Sequence, residues 1–274
     1  MAGTLYVVTT PIGNRSDLSP RAIETLRAVT LIVAEDTRHS APLLAWAGVA
    51  TPVRSYHAHN EAEQAPRLVV RLLEGHDVAL ISDAGTPLVS DPGARLVSAA
   101  IAAGIAVTPV PGASAILAAL VGSGLDATTF TFLGFLPRAQ QERRAAVEMA
   151  LALRQTVILY EAPPRVAELL ATLAASGGES RRAVVARELT KLHEEFRRGT
   201  VAELAAYYEA TAPRGEVVVL IEGAPEPAPD HDAASLRAAA LRLGGASVRD
   251  TVRHLQEEFG VPRNEAYRLA QGAE

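Results

Sequence analysis

Short apolar runs alternate with amphipathic stretches along most of the chain. Leu5–Thr9, Leu31–Glu35, Val78–Ser82 and Ala106–Val110 are too short for helices and too evenly apolar for strands exposed on one face. They read as strands buried on both sides, as in a parallel sheet covered by helices. Helix signals lie between them. Ser19 is an N-cap followed by Pro20 at the first helical position, predicting a helix to about Ala28. A helix through Leu43, Leu44 and Trp46 stops at Gly48, another ends near Gly75, and Asp91-Pro92 opens the next.

The pattern loosens over Gly122–Thr129 and then resumes. Strands are expected at Phe130–Phe135, Thr156–Tyr160, Ala183–Arg187 and Glu216–Ile221. Helices are expected from about Arg138, from Pro163-Pro164 and near Val201–Tyr208. The sequence thus predicts an α/β protein of two α/β domains, residues 1–122 with a mostly parallel sheet and residues 123–223. A proline-rich linker, 224–231, leads to a helical extension, 232–274. In that extension Val248, Val252, Leu255 and Phe259 share one helical face. A turn at Gly260–Arg263 with Asn264 as N-cap gives a helix–turn–helix pattern.

Composition narrows the chemistry. The 274 residues contain no cysteine, which excludes disulfides, thiolate nucleophiles and cysteine-ligated metals. The seven histidines show no paired-ligand spacing, so no metal is expected. Met1–Gly3 runs straight into apolar residues without a basic leader, and the apolar stretch 94–125 is broken by Gly104, Pro109, Pro111 and Gly112. Neither a signal peptide nor a membrane span is expected, and the protein reads as cytoplasmic. The net charge of −5 opposes broad nonspecific nucleic-acid binding. Within 235–272, however, six arginines (237, 242, 249, 253, 263, 268) face four acids (250, 257, 258, 265). Lys191 is the only lysine.

In an open α/β sheet ligands bind beyond the carboxyl ends of the strands. Three Gly/Pro-rich segments follow such ends: Thr10–Asn14, Ser82–Gly93 and Pro111–Ala115. Glycine allows close backbone approach and proline fixes turns, so together they suit a small-molecule pocket built largely of main chain. The same residues also serve as ordinary turn formers. None of the segments is a phosphate loop or a Gly-x-Gly-x-x-Gly fingerprint. Polar clusters at Glu35–His39, Tyr160-Glu161 and Arg187–Lys191, with His57, His59 and Asn60, supply candidate reactive groups. Each also reads as caps, rim salt bridges or a surface loop.

Thr10-Pro11-Ile12-Gly13-Asn14, Ala34-Glu35-Asp36-Thr37-Arg38, Ser82-Asp83-Ala84-Gly85-Thr86-Pro87 and Ala186-Arg187-Glu188-Leu189-Thr190-Lys191 resemble, in order, the signature segments of the ribosomal RNA small subunit methyltransferase I family. That family is a branch of the tetrapyrrole-methylase-like (class III) methyltransferases. The resemblance spans about Leu5 to Ile221, and the tail is similar to the family's helical extension. It implies a homodimeric enzyme that methylates a cytidine 2′-hydroxyl in 16S ribosomal RNA, with S-adenosylmethionine held between two α/β domains. It places Pro11, Gly13, Asp83, Ala84, Gly85, Thr86, Pro87, Val89, Ser114, Ala115, Tyr160 and Ala186 at the cofactor. Arg38, Asn60 and Arg187 fall on the substrate side, with Glu35, Asp36, Glu188 and Lys191 as catalytic candidates. The sequence departs from the family pattern at Ala113, where proline is common, and at Pro164, where histidine is common. The extension is expected to dock RNA, and the acidic balance favours an assembled small subunit as substrate. Two other readings compete: a tetrapyrrole methyltransferase of the same fold, and a non-catalytic ribosome-associated binding module.

Overall fold

The computed structural model describes residues 1–226 and 230–272; residues 227–229 of the expected linker, and 273–274, lie outside the described residues. The first sheet is built from β1 (Thr4–Val8), β2 (Leu31–Ala34), β3 (Val53–Ser55), β4 (Val78–Ile81) and β5 (Ala106–Val110). Its order is β3-β2-β4-β1-β5 and every pairing is parallel. β2 and β4 are buried at every residue, which explains their uniformly apolar sequences.

Alternation along these strands divides the core into two layers. Ile32, Ala34, Ala79 and Ile81 pack with Leu18, Leu26 and Leu44 on the side of α1 (Pro20–Ala28) and α2 (Thr37–Trp46). Leu31, Val33, Val78 and Leu80 pack with Leu68, Leu72 and Leu96 on the side of α3 (Glu61–Leu73) and α4 (Ala94–Ala102). The Ser19 hydroxyl accepts from the Ala22 amide ahead of Pro20, so the predicted α1 start holds. The predicted start of α4 does not. Its N-cap is Gly93 rather than Asp91. The chain leaves β1 towards β2 on one side and leaves β4 towards β5 on the other, so the switch point of the sheet lies between β1 and β4.

The second sheet is mixed, with order β6-β7-β10-β8-β9. Its strands are β6 (Phe130–Phe135), β7 (Thr156–Glu161), β8 (Arg182–Arg187), β9 (Glu195–Thr200) and β10 (Val217–Ile221). Only β6 and β7 run parallel; β10 is antiparallel to β7 and β8, and β9 is antiparallel to β8. One face carries α6 (Gln140–Ala152), α7 (Val166–Leu173) and α8 (Val201–Ala210) over Val157, Leu159, Val185 and Val219. The opposite face packs Ile158, Val184, Ala186, Val218 and Leu220 against α5 (Ala115–Ser123), which follows the last strand of the first sheet.

The chain divides into two compact units, Met1–Ala224 with both sheets and Pro225–Glu274. The second unit is three helices, α9 (His231–Leu243), α10 (Val248–Phe259) and α11 (Arg263–Gln271). Ala234, Ala238, Val252, Leu255, Val261, Ala266 and Ala270 form its own core. Asp230 and Ser247 cap α9 and α10, and α10 stops at left-handed Gly260. The expected cap Asn264 lies inside α11, which begins one residue earlier behind Pro262. No described helix is long and apolar enough to cross a membrane.

Candidate active site

The loops leaving β1 and β4 part at the switch point and are tied together just beyond it. The Thr10 amide donates to the Gly85 carbonyl at 2.9 Å, and the Gly85 amide returns a bond to Thr10 at 3.1 Å. Thr10 Oγ1 also reaches the Ser82 carbonyl at 3.2 Å. Behind this clasp lies a cavity of about 490 Å³, within the usual range for a small-molecule or cofactor site. One wall is main chain and short side chains of Asp83–Thr86, Val89–Asp91 and Ser114–Ile116. The other comes from the second sheet: Phe135, Tyr160–Pro163, Leu189 and Gly215–Val218. Tyr160 is packed edge-on against Phe132 at 4.9 Å and lies 5.5 Å from Phe135.

Backbone strain collects at the loops bordering this cavity. Among the described residues, the non-glycine residues with positive φ are Leu88, Ser90, Glu188 and Thr190. Two sit in the loop after β4 and two in the loop after β8. A left-handed side-chain-bearing residue costs of order 1–3 kcal/mol and persists only where its surroundings dictate it. Such strain gathers at ligand-gripping loops more than in connecting turns.

The electrostatics are negative. Asp83 Oδ1 accepts from the Asp36 amide at 3.1 Å, which joins the end of β2 to the loop after β4. Burial raises the pKa of Asp91, and the neighbouring Asp83 adds to the rise. Burial, then the charges of Asp91, Asp83 and Asp36, raise that of Glu35 as well. Tyr160 is pushed up to about 12 by burial and by Asp91 and Glu216. A carboxylate-lined cavity with an aromatic wall suits a cation that is partly apolar, the chemistry of a sulfonium cofactor.

At the rim, Lys191 Nζ donates to Glu188 Oε1 and Glu216 Oε2, both at 2.9 Å. Glu188 Oε1 also accepts from the Glu216 amide at 3.1 Å. The hydrogen bond from Lys191 holds the Glu188 carboxyl below its ordinary value. Burial works to lower the Lys191 pKa, and its bonds to Glu188 and Glu216 outweigh that and raise it. Two glycines make room for this cluster. A Cβ at Gly13 would lie 2.5 Å from Lys191 Cγ, and one at Gly215 would collide with the Glu188 carboxylate.

Not every residue singled out from sequence reaches the cavity. Asp83, Ala84, Gly85, Thr86, Val89, Ser114, Ala115 and Tyr160 line it. Pro11, Pro87 and Ala186 do not, and Gly13 is covered by Lys191. Asp36 is the N-cap of α2, bonded to the Arg38 amide and guanidinium, an interaction that holds its carboxyl down to about 2. Asn60 closes a turn, accepting from the His57 amide and donating to the Ser55 carbonyl. Arg187 is bonded to Glu195 at 2.6 Å, beside Arg197, and lies outside the cavity. Asp91 and Leu189 fall inside candidate segments of the sequence without being singled out there, Asp91 reading as a helix cap, and Phe135 and Glu216 carry no sequence signal for the site. Sequence reasoning also missed Arg143 of α6. Arg143 is 1% exposed and donates to Glu161 Oε2 at 2.7 Å, while Glu161 Oε1 accepts from the cavity-lining Ala162 amide at 2.9 Å.

Comparison with known proteins agrees with this geometry. A family model described as Tetrapyrrole (Corrin/Porphyrin) Methylases matches residues 4–205. A solved structure of uroporphyrin-III C-methyl transferase from Thermus thermophilus, complexed with S-adenyl homocysteine, superimposes with a TM-score of 0.58. It covers 80% of this chain and 97% of that one at 18% identity, a likeness of fold. Ribosomal RNA small subunit methyltransferase I of Synechocystis sp. is 44% identical over 271 residues, 98% of this chain and 97% of the relative. The protein of the same name from Xylella fastidiosa is 48% identical, covering 97% of this chain and 98% of the relative. The chain belongs to the tetrapyrrole methylase family and, within it, to the ribosomal RNA small subunit methyltransferase I family.

Proposed function

We propose that this protein transfers a methyl group from S-adenosylmethionine to small-subunit ribosomal RNA, at the 2′-hydroxyl of a cytidine. The observation that carries this reading is the near-full-length likeness, 44–48%, to relatives named for that ribosomal RNA. The acidic, part-aromatic cavity supports the cofactor assignment. When bound, S-adenosylmethionine supplies an electrophilic methyl carried on a sulfonium.

The roles of the chain's own residues follow from their surroundings. Asp83–Thr86 and Ser114-Ala115 offer backbone groups, Tyr160 an aromatic face, and Asp91 a carboxylate, to hold and orient the cofactor. A ribose hydroxyl is a weak nucleophile until its proton leaves, so a base near the cavity is needed. Asp36 is committed to its cap and to Arg38, and Glu188 to Lys191. Glu35 lies outside the cavity lining, but it is half-buried near the cavity-lining Asp83 and Asp91, whose charges add to the rise in its pKa, and we assign it the role of proton acceptor. Lys191 then acts as a cationic anchor at the rim, for Glu188 and Glu216 and for an incoming phosphate. Arg38, whose side chain is 89% exposed, is placed to meet RNA backbone.

The three-helix unit is the RNA-docking part, and the assembled small subunit the substrate, in the cytoplasm. A homodimer is supported by α5, an apolar helix whose Leu117 and Val121 remain exposed. The test is transfer of labelled methyl to small subunits from cells lacking this gene, followed by mapping of the modified nucleotide. Label on one cytidine ribose is expected. Label absent from RNA but present on a uroporphyrinogen-like acceptor would replace this reading with tetrapyrrole methylation.

A further inference from the structure

The exposed face of α11 has an unusual composition. At 100° per residue, Arg263, Tyr267, Gln271, Asn264 and Arg268 occupy one contiguous arc of this helix, and all five are exposed. Every one is a hydrogen-bonding, cationic or aromatic side chain, and none is acidic. The opposite arc, Ala266, Leu269 and Ala270, packs into the core of the unit. The one acid of α11, Glu265, lies outside this arc, with its Oε1 2.9 Å from His231 Nδ1. Among the described residues Arg263 and Arg268, like Arg242 and Arg249, have no carboxylate partner, whereas Arg237 and Arg253 are paired with Glu258 and Asp250; only on α11 do two such arginines flank an exposed tyrosine. α11 is also the second helix of the turn that follows Gly260.

We propose that this face of α11 is the RNA-reading surface of the protein, with Arg263 and Arg268 on phosphates, Asn264 and Gln271 on sugar or base edges, and Tyr267 stacked on an unpaired base. The inference deepens the proposed function and rests on it. Charge complementarity selects the partner. Unpaired arginines in a chain of net charge −5 meet a polyanion, and a solvent-exposed tyrosine between them offers the stacking platform that single-stranded RNA uses. An A-form duplex hides its major-groove edges and keeps its bases stacked away from an aromatic side chain, so an RNA loop or junction fits this short helix better than a continuous duplex.

The test uses the full-length protein. Binding to small ribosomal subunits lacking the modification is measured for wild type, for the Arg263→Gln/Tyr267→Ala/Arg268→Gln triple variant and for an Arg237→Gln/Arg253→Gln control. The triple variant is expected to bind at least about tenfold more weakly, with a salt dependence shallower by about two counterions. The control is expected to stay near wild type, and cofactor affinity and melting temperature to be the same in all three. A photoreactive phenylalanine analogue at position 267 is expected to cross-link to RNA in the same particles. Wild-type affinity in the triple variant, or cross-linking only to ribosomal protein, overturns the inference. Either result, with labelled methyl still reaching ribosomal RNA, leaves the proposed function standing. Failure of wild type to methylate the RNA would instead remove that function.

Discussion

Glu35 and Asp36 are adjacent carboxylates, and their surroundings drive them apart. Both are half-buried, but Asp36 is held ionised by its bonds to Arg38, while burial and the charges of Asp91, Asp83 and Asp36 raise the pKa of Glu35. A carboxyl with a raised pKa is the better proton acceptor near neutral pH, because base strength rises with pKa while the group is still ionised. Glu35→Gln is therefore expected to lower turnover at saturating cofactor by about 10²–10⁴-fold with cofactor affinity unchanged. The sign of the pH dependence follows from the same shift. Turnover of wild type should fall as pH drops through the raised Glu35 pKa, because the protonated form accepts nothing, and the variant should lose that acid limb. Near-wild-type turnover in the variant would pass the role to another group. Arg143 shows what residue types alone conceal. An arginine in an amphipathic stretch reads as a solvated surface base, yet the fold buries it against Glu161 behind the cavity wall. Removing one partner of such a pair leaves an uncompensated buried charge, typically costing about 3–5 kcal/mol.

The elements that sequence located well are those whose burial imposes a pattern. β2 and β4 are uniformly apolar because helices cover both faces, and α1 announces itself through Ser19-Pro20. β9 had no such signal. It is an edge strand, Glu195–Thr200, with three charged residues and one glycine in six, and it exists because β8 offers a free ladder edge. The antiparallel run of the second sheet was equally hidden, since strand direction is set by how connections close rather than by residue pattern. The cofactor-side loops were legible through glycine and proline, but the inward turn of Asp91 was not, because Gly93 rather than Asp91 starts α4. Gly13 belongs to this level too. Its missing Cβ lets the loop after β1 pass beneath Lys191 of the loop after β8. Gly13→Ala should push the lysine off Glu188 and Glu216, so turnover should fall as far as in Lys191→Ala, measured side by side at saturating cofactor. Full activity in Gly13→Ala would show that the contact can slide without consequence.

For the whole molecule, the separation into Met1–Ala224 and Pro225–Glu274 matters most. Each unit carries its own apolar core, and every residue lining the cavity lies in the first. Cofactor binding and RNA affinity are then separable by truncation. Cutting after Ala224 leaves both sheets, the Thr10–Gly85 clasp and the Lys191 cluster intact, so the shortened protein is expected to bind S-adenosylmethionine with wild-type affinity in calorimetry. It loses six arginines together with the eight acids of 225–274, so what is removed is the local arginine-bearing face of α11 rather than any net positive charge. Its affinity for small subunits should drop, and what remains should decline less steeply with salt, because fewer counterions are released on binding. Unchanged affinity and salt slope would place RNA recognition on the sheet-bearing unit, around Arg38 and Lys191. Loss of cofactor binding would show that the helical unit completes the cavity. Under the proposed function the two units divide the labour: the first carries the acidic cofactor cavity and the second the RNA-binding helices.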